Sequence, residues 1–407
     1  MSPLLQSRVL WKTLFLLFAT STTKTTCYAD SEDDSASGLV FQTFEPVLPC
    51  GDGSPAGIYT DTLEDARPTK NHIIVFLGGN TCRSEEECKY IWETAPQKLS
   101  SNFWPRNLKG TSILSRNTTE NPVADSFQRW LVPYCSQDLF LGKGNNTSTT
   151  GFNMAGEKIF EAALNHWNDN HQFESVDTLI VAGISAGAIG VINHLELLQK
   201  FSRDVNATNL RLIVDSSDVG SQQPDLYQDD ERERKEQEAN FAEIVDFEKH
   251  PLCNSTYSQE FTTTELWNIP CCASVHCMLE NDPMLSNWTQ TDDPDGSERM
   301  LMLDSVYDPL GIMLGTRKMD SEHPNLLDFD AYTSGIFEAA GSRGQQILQS
   351  STRLGNRVLW AVSNVVVHTY LLPAIEINQL SCNDHDPTDD FYVVCKDNSY
   401  GKTIRFA

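Results

Sequence analysis

The sequence predicts an α/β fold with a mostly parallel central sheet. Two observations carry this expectation. Short apolar runs of strand character alternate with segments whose apolar residues recur at helical spacing. In addition, a strand over residues 177–182 runs straight into Gly183-Ile184-Ser185-Ala186-Gly187, and a helix over about 188–200 runs out of it. Gly-x-Ser-x-Gly between a strand and a helix is the signature of a nucleophile elbow. The glycines permit a tight, strained turn and let strand and helix approach closely. Such a turn lifts a serine hydroxyl clear of the sheet, where a base and a substrate both reach it. The bare pattern is common and an ordinary glycine turn is the plain alternative; the strand–turn–helix setting favours catalysis.

The other elements follow in order. Residues 30–70 are acidic and poorly periodic and read as an extended lead-in, tied down through Cys50. Residues 72–77 form a buried strand that stops at Gly78-Gly79, a turn of the kind that exposes backbone N–H groups. Cys82 and Cys88 bracket a short acidic segment continuing as a helix over about 84–95. A loop leads to a strand at 128–132. Residues 142–151 read as a solvated loop, and 153–167 as a helix with Met154, Ile159, Phe160, Ala163, Leu164 and Trp167 on its apolar face. A buried strand at 210–214 follows the elbow helix. Residues 225–250 read as a charged, solvated helix, and 253–287 as a disulfide-braced insertion over the sheet, a lid. Strand character resumes at 300–303 and leads to Asp304 and Asp308. A helix over about 328–350 and a last strand at 358–362 precede His368. Residues 30–407 are expected to make a single catalytic domain.

An apolar fraction of 40% over 407 residues is enough for a sizeable core. The formal net charge of −26 leaves nothing to neutralise phosphates, so nucleic acid is not an expected partner. It suits a soluble protein working outside the cell, in the extracellular space or a cell wall. Residues 1–29 read as a secretory signal peptide: Arg8 and Lys12, an apolar run at 14–19, and small residues ending at Ala29. That run is too short to span a bilayer, and no membrane span is expected.

Eleven cysteines are present, and cleavage after Ala29 removes Cys27, leaving ten. An even number in a secreted chain indicates disulfides. Cys382 and Cys395 in the tail read as partners. A zinc cluster at Cys271, Cys272, His276 and Cys277 is the alternative for that region, but its spacing is unlike paired CxxC sites, so no metal is expected. Asn117, Asn145, Asn146, Asn206, Asn254 and Asn287 head Asn-x-Ser/Thr triplets, which agree with secretion as candidate glycosylation sites.

A serine hydroxyl needs a base within hydrogen-bond reach, and the base needs an acid to hold its tautomer. In α/β-hydrolases the order is Ser, acid, His, each on a loop after a strand. Among the downstream histidines, His194 lies on the elbow helix, His250 and His276 precede the last two strands, and His323 and His385 sit in polar segments. Only His368 follows the last strand at loop distance. Asp308 ends a strand before Pro309 and is favoured as the acid over Asp304; no strand leads into Asp328 or Asp330. The oxyanion hole would take the N–H of Ala186 and donors from Gly79 and Asn80.

Taken together, several segments resemble the pectin acetylesterase family, which includes the Notum-like carboxylesterases of animals. These are Gly78-Gly79-Asn80-Thr81-Cys82, Trp104-Pro105, the stretch 110–115 with Asn121-Pro122, Pro133-Tyr134-Cys135-Ser136, the elbow, Asp215-Ser216, Tyr307-Asp308 and His368. The resemblance covers about residues 45–395. It implies an α/β-hydrolase-like fold, a secreted enzyme without cofactors, a triad of Ser185, Asp308 and His368, and disulfides pairing Cys82 with Cys88 and Cys50 with Cys135. Asn80, Thr81 and Ala188 depart from the family pattern. A backbone donor does not depend on its side chain, so the oxyanion hole survives these changes; the neighbouring pocket is less constrained.

The expected function is a secreted, monomeric serine carboxylesterase that removes acyl groups, foremost O-acetyl groups from a pectin-type polysaccharide. The alternative substrate is an acylated protein carrying a long chain such as palmitoleoyl. A third reading, from another class, is an inactive esterase fold serving as a secreted binding protein.

Overall fold

The computed structural model describes residues 38–61, 69–79, 81–82, 84–123, 126–144, 150–170, 175–216, 278, 283–290, 298–305 and 358–363. Nine strands lie in this part of the chain: β1 Gly38–Thr43, β2 Gly57–Asp61, β3 Asn71–Phe76, β4 Asn107–Lys109, β5 Gln128–Val132, β6 Val176–Ile184, β7 Ala207–Asp215, β8 Glu298–Ser305 and β9 Val358–Ser363. They form one sheet in the order β4-β1-β2-β5-β3-β6-β7-β8-β9. From β5 to β9 every neighbouring pair is parallel. The β4-β1-β2 wing joins β5 antiparallel. The expected mostly parallel α/β architecture is therefore present.

Parallel strands covered on both faces read as continuous apolar runs. β3 is buried from His72 to Phe76, and β6 and β7 are buried over their last four residues. Five described helices accompany the strands: α1 Glu85–Thr94, α2 Gly156–Asn170, α3 Ala186–Asn193, α4 Leu195–Asp204 and α5 Pro283–Gln290. In α2, Ile159, Phe160, Ala163, Leu164 and Trp167 recur at helical spacing and are all buried. Phe160 stacks on Phe76 of β3 with ring centroids 4.0 Å apart. Each large apolar side chain buried this way contributes about 1.5–3 kcal/mol.

Helix α1 begins where its cap dictates. The Ser84 side chain accepts the Glu87 amide at 3.2 Å, and Glu85, Glu86 and Glu87 fill the first turn, where the helix dipole favours carboxylates. Two disulfides brace this half of the molecule. Cys82–Cys88 closes the chain before α1, and Cys50–Cys135 ties the segment after β1 to the segment after β5.

Five expectations need correction. Residues 30–70 are not a mere lead-in, because β1 and β2 lie there, and all five residues of β2 are buried. The loop before residue 110 contains the short strand β4. The elbow helix is two helices, broken at His194, whose Nδ1 lies 2.8 Å from the Gly190 carbonyl oxygen and whose ring stacks on Phe160 at 4.2 Å. Helix α2 starts three residues later than expected, because Asn153 instead donates its amide to Gly51 O at 2.8 Å and Met154 O accepts from Gly144 N. The supposed solvated loop at 142–151 is buried at Gly142 and Thr150, though Gly151 is exposed. Residues 1–29, the charged segment 225–250, the insertion up to residue 277 with its zinc alternative, the helix over 328–350 and the pair Cys382 and Cys395 lie outside the described residues.

The wing is locked by a buried ion cluster. Arg129 of β5 donates from Nε to Asp61 Oδ1 of β2 at 2.7 Å and from its backbone amide to Oδ2 at 2.8 Å, and a second guanidinium nitrogen also reaches Oδ1. Its Nη1 donates to Leu114 O at 2.6 Å, and Arg116 Nη2 reaches Asp61 Oδ2 at 2.7 Å. The Asp61 side chain is fully buried, and so is that of Arg129 at 1% exposure, so each charge depends on the other. Among the described residues, no helix is long and apolar enough to cross a membrane.

Candidate active site

Strand β6 enters the centre of the sheet between β3 and β7 and turns sharply into α3 at Ser185. Ser185 has φ 53° and ψ −118°, a region that non-glycine residues avoid. Its surroundings hold it there. The Ser185 amide donates to the Asp215 carbonyl oxygen at the end of β7 at 2.8 Å, and its own carbonyl accepts from Ala188 N at 2.9 Å. Neither flanking glycine has room for a side chain. A β-carbon on Gly187 would lie 2.8 Å from Leu77 O and overlap Phe76 O, both on the backbone of the neighbouring strand and turn. One on Gly183 would lie 2.6 Å from Ala188 Cα. The strained turn is thus fixed by three backbones in mutual contact, and Ser185 remains 6% exposed at the carboxyl edge of the sheet.

The turn after β3 completes this edge. A β-carbon on Gly78 would come within 2.6 Å of Ser185 Cβ and 2.9 Å of Ala186 N, so the Gly78-Gly79 backbone lies directly against the elbow. Ala186 is the first residue of α3, a position whose N–H has no acceptor within the helix. Gly79 is backed by the ring of Tyr134, and Cys82 N donates to Gln137 O at 3.2 Å. The structure therefore brings Gly78, and with it the start of the turn that Gly79 continues, against Ser185 and Ala186. Asn80 lies outside the described residues.

Asp308 and His368 also lie outside the described residues. What is described is where their strands end. β8 and β9 extend the parallel sheet beyond β7, so their carboxyl ends share the edge that carries Ser185. β8 stops at Ser305, three residues before Asp308, and β9 at Ser363, five before His368. Asp304, the weaker candidate acid, is within β8, opposite Val362 of β9. His194 caps α3 against Phe160. Of the candidate glycosylation sites, Asn117, Asn206 and Asn287 are exposed; Asn145, Asn146 and Asn254 lie outside the described residues.

Three contacts escaped sequence reasoning, although their residues lie in segments it had singled out. Asp215 supplies the carbonyl that anchors Ser185, and only the register Ile184↔Asp215 shows it. Gly78 serves by having no side chain. Tyr134 supports Gly79 from a loop 55 residues away, counting from 79 to 134.

Comparison with known proteins places these features in a lineage. The pectinacetylesterase family model matches residues 32–221. The palmitoleoyl-protein carboxylesterase notum1a of Danio rerio is 29% identical over 163 residues, covering 40% of this chain and 32% of the relative. The human palmitoleoyl-protein carboxylesterase NOTUM is 31% identical over 147 residues, covering 36% and 29%. The matched stretch thus spans about a third of the length of these relatives. A shorter relative, the inactive palmitoleoyl-protein carboxylesterase notum1b of Danio rerio, is 34% identical over 102 residues, 25% of this chain and 71% of its own length. Among solved structures, the Wnt deacylase Notum from Drosophila superposes with a TM-score of 0.62 at 17% identity, covering 82% of this chain and 86% of that one. At that identity the likeness shows the fold alone, which is the α/β-hydrolase-like fold expected. The chain belongs to the pectinacetylesterase family of Notum-like proteins.

Proposed function

We propose that this protein is a secreted serine carboxylesterase whose nucleophile is Ser185. The observation that carries the reading is the backbone of Ser185 itself: φ 53° at the end of a central parallel strand, held by backbone contacts on three sides. Strain of this kind costs about 1–3 kcal/mol and persists where function needs it. In the proposed reaction Ser185 Oγ attacks the ester carbonyl carbon while His368 takes its proton. Asp308 orients His368. The carbonyl oxygen, now negative, is held by the N–H groups of Ala186, Gly79 and Asn80. Collapse of this adduct breaks the ester C–O bond, and His368 returns the proton to the departing alcohol. Water, activated by the same histidine, then releases the acid and regenerates Ser185. The order of strand ends, β6, β8, β9 along one edge, supports these assignments.

Two substrates have specific support. An O-acetylated pectin-type polysaccharide is favoured by the description of the matching family model. An acylated protein is favoured by the palmitoleoyl-protein carboxylesterases among the relatives. An open groove lined by Thr81, Glu86, Glu87, Tyr90 and Ile91 adjoins the oxyanion turn. Its two carboxylates would repel a polyanionic galacturonan, which favours the second substrate.

The test is fluorophosphonate labelling of the full secreted chain, with peptide mapping, beside hydrolysis of acetyl and long-chain p-nitrophenyl esters. Label on Ser185, lost in Ser185→Ala together with hydrolysis, is the expected result. Preference for the long ester supports the acyl-protein substrate, and preference for acetyl the polysaccharide. Folded protein that neither labels nor hydrolyses would overturn the enzyme reading in favour of a binding protein; one relative is itself named as inactive.

A further inference from the structure

The segment after β5 is built around a buried carboxylate. Asp138 is fully buried and accepts four hydrogen bonds: from Ser136 Oγ at 2.6 Å, Phe140 N at 3.1 Å, Gly142 N at 3.2 Å and Gly156 N at 2.7 Å. Three of the partners are backbone N–H groups, which only donate, and the fourth, the Ser136 hydroxyl, can also accept, so each Asp138 oxygen is held from two sides and the set accommodates the carboxyl with or without its proton. Gly142 and Gly156 have no room for a side chain on this side, since a β-carbon on either would overlap an Asp138 oxygen. Gln137, Leu139 and Phe140 all have positive φ, 55°, 61° and 62°. Three left-handed residues among four consecutive positions, none of them glycine, do not persist without something to hold them.

The loop so held touches the turn that carries one half of the proposed oxyanion hole and the helix that carries the other. On one side, Tyr134 lies against Gly79, its hydroxyl fixed by Leu139 N at 2.7 Å, and Gln137 O accepts the Cys82 amide. Gln137 Nε2 binds Lys98 O at 2.8 Å, which fixes this side chain beside the same turn. On the other side, Phe140 packs on Gly190 of the elbow helix and edge-on against Phe76, 5.5 Å between centroids. From this geometry we infer that Asp138 is a positioning residue for ester hydrolysis, which sets the oxyanion turn at Gly79 against the elbow at Ser185. It touches no substrate and acts through Tyr134, Gln137 and Phe140. This rests on the esterase reading above.

The experiment compares Asp138→Asn and Ser136→Ala with wild type in the full chain. The readouts are steady-state hydrolysis of a short p-nitrophenyl ester and inhibition by an aryl trifluoromethyl ketone. The ketone's hemiketal oxygen requires the hole, as the reaction does. An amide at 138 has one acceptor oxygen and presents N–H groups to donors, so the loop must shift. A displaced hole costs on the order of 100-fold, as loss of one donor does. The expected result is a kcat about tenfold to 100-fold lower in Asp138→Asn, an unchanged KM, and ketone affinity falling in step with kcat. Ser136→Ala, which removes one of four donors, follows the same pattern with a smaller loss. If Asp138→Asn does not fold, Ser136→Ala decides. Folded variants with wild-type kcat and ketone affinity would overturn the inference, as would losses confined to thermal stability. Wild-type protein that neither hydrolyses nor labels would instead overturn the esterase reading.

Discussion

The ring of Tyr134 occupies the space that a side chain on Gly79 would need: its Cδ1 lies 2.6 Å from where a β-carbon would be. Gly79→Ala therefore has to move either the ring or the turn, and the Tyr134 hydroxyl, bound to Leu139 N, resists movement of the ring. The turn shifts by several tenths of an ångström. Such a displacement is expected to lower kcat about tenfold or more with a modest loss of stability. Esterase kinetics beside a thermal melt check it; a wild-type kcat would place Gly79 outside the oxyanion hole.

The strain at Ser185 has a measurable counterpart. Ser185→Ala and Ser185→Gly both remove the hydroxyl, and both are expected to abolish hydrolysis. They differ in how the backbone tolerates φ 53° and ψ −118°. The glycine variant should be more stable than the alanine variant by about 1 kcal/mol, read from urea unfolding midpoints. Equal stability would mean that the elbow relaxes once the hydroxyl is gone.

Removing one partner of the Asp61 cluster strands two guanidinium groups. Asp61→Ala leaves Arg129, which is buried, without its carboxylate, and should cost about 3–5 kcal/mol. The loss should appear in equilibrium unfolding as a lower midpoint. Glu93, exposed on α1, is a surface control whose replacement by alanine should change stability by about 0.5 kcal/mol or less.

Burial raises the Asp138 carboxyl from its usual 3.8 to about 7, opposed in part by the bonds from Ser136, Gly156 and Phe140. The titratable group facing it is Tyr134, itself held far above its ordinary range by burial and by Asp138; Lys143 and Glu157, next to Gly142 and Gly156, face each other at 3.9 Å. A carboxyl raised on folding binds its proton more tightly in the folded state. Its contribution is then greatest below the unfolded value and is lost as pH rises through about 7. Wild type should lose stability between pH 5 and pH 8 relative to Asp138→Asn. Parallel unfolding curves of the two proteins across that window would show that Asp138 ionises as it does in the unfolded chain.

The centre of the molecule was legible in the sequence and its wing was not, for a physical reason. Residues 72–77 and 210–214 advertise themselves because strands covered on both faces must be apolar throughout. β2 ends in Thr60 and Asp61, which look like loop residues until Arg129, 68 positions away, supplies the partner. The elbow was legible because its constraint is local: two glycines, each two residues from the serine. The Asp138 loop was not, because three of its four partners are backbone amides that any sequence possesses. His194 looked like one more helix residue; its ring's bond to Gly190 and its stacking on Phe160, 34 residues earlier, become visible only when the helix is folded against α2.

The pairing of β3 with β6 has a consequence for how the chain is made. Asn71 faces Thr178, a separation of 107 residues, and β6 carries the elbow. At roughly 5–20 residues per second, β3 leaves the ribosome on the order of ten seconds before its central neighbour exists. During that interval an almost wholly apolar strand has no parallel partner on that side, and Cys50 waits 85 residues for Cys135. Contacts so far apart in sequence form slowly. Yield is therefore expected to respond to chaperone supply and translation speed, through how well β3 is shielded during synthesis.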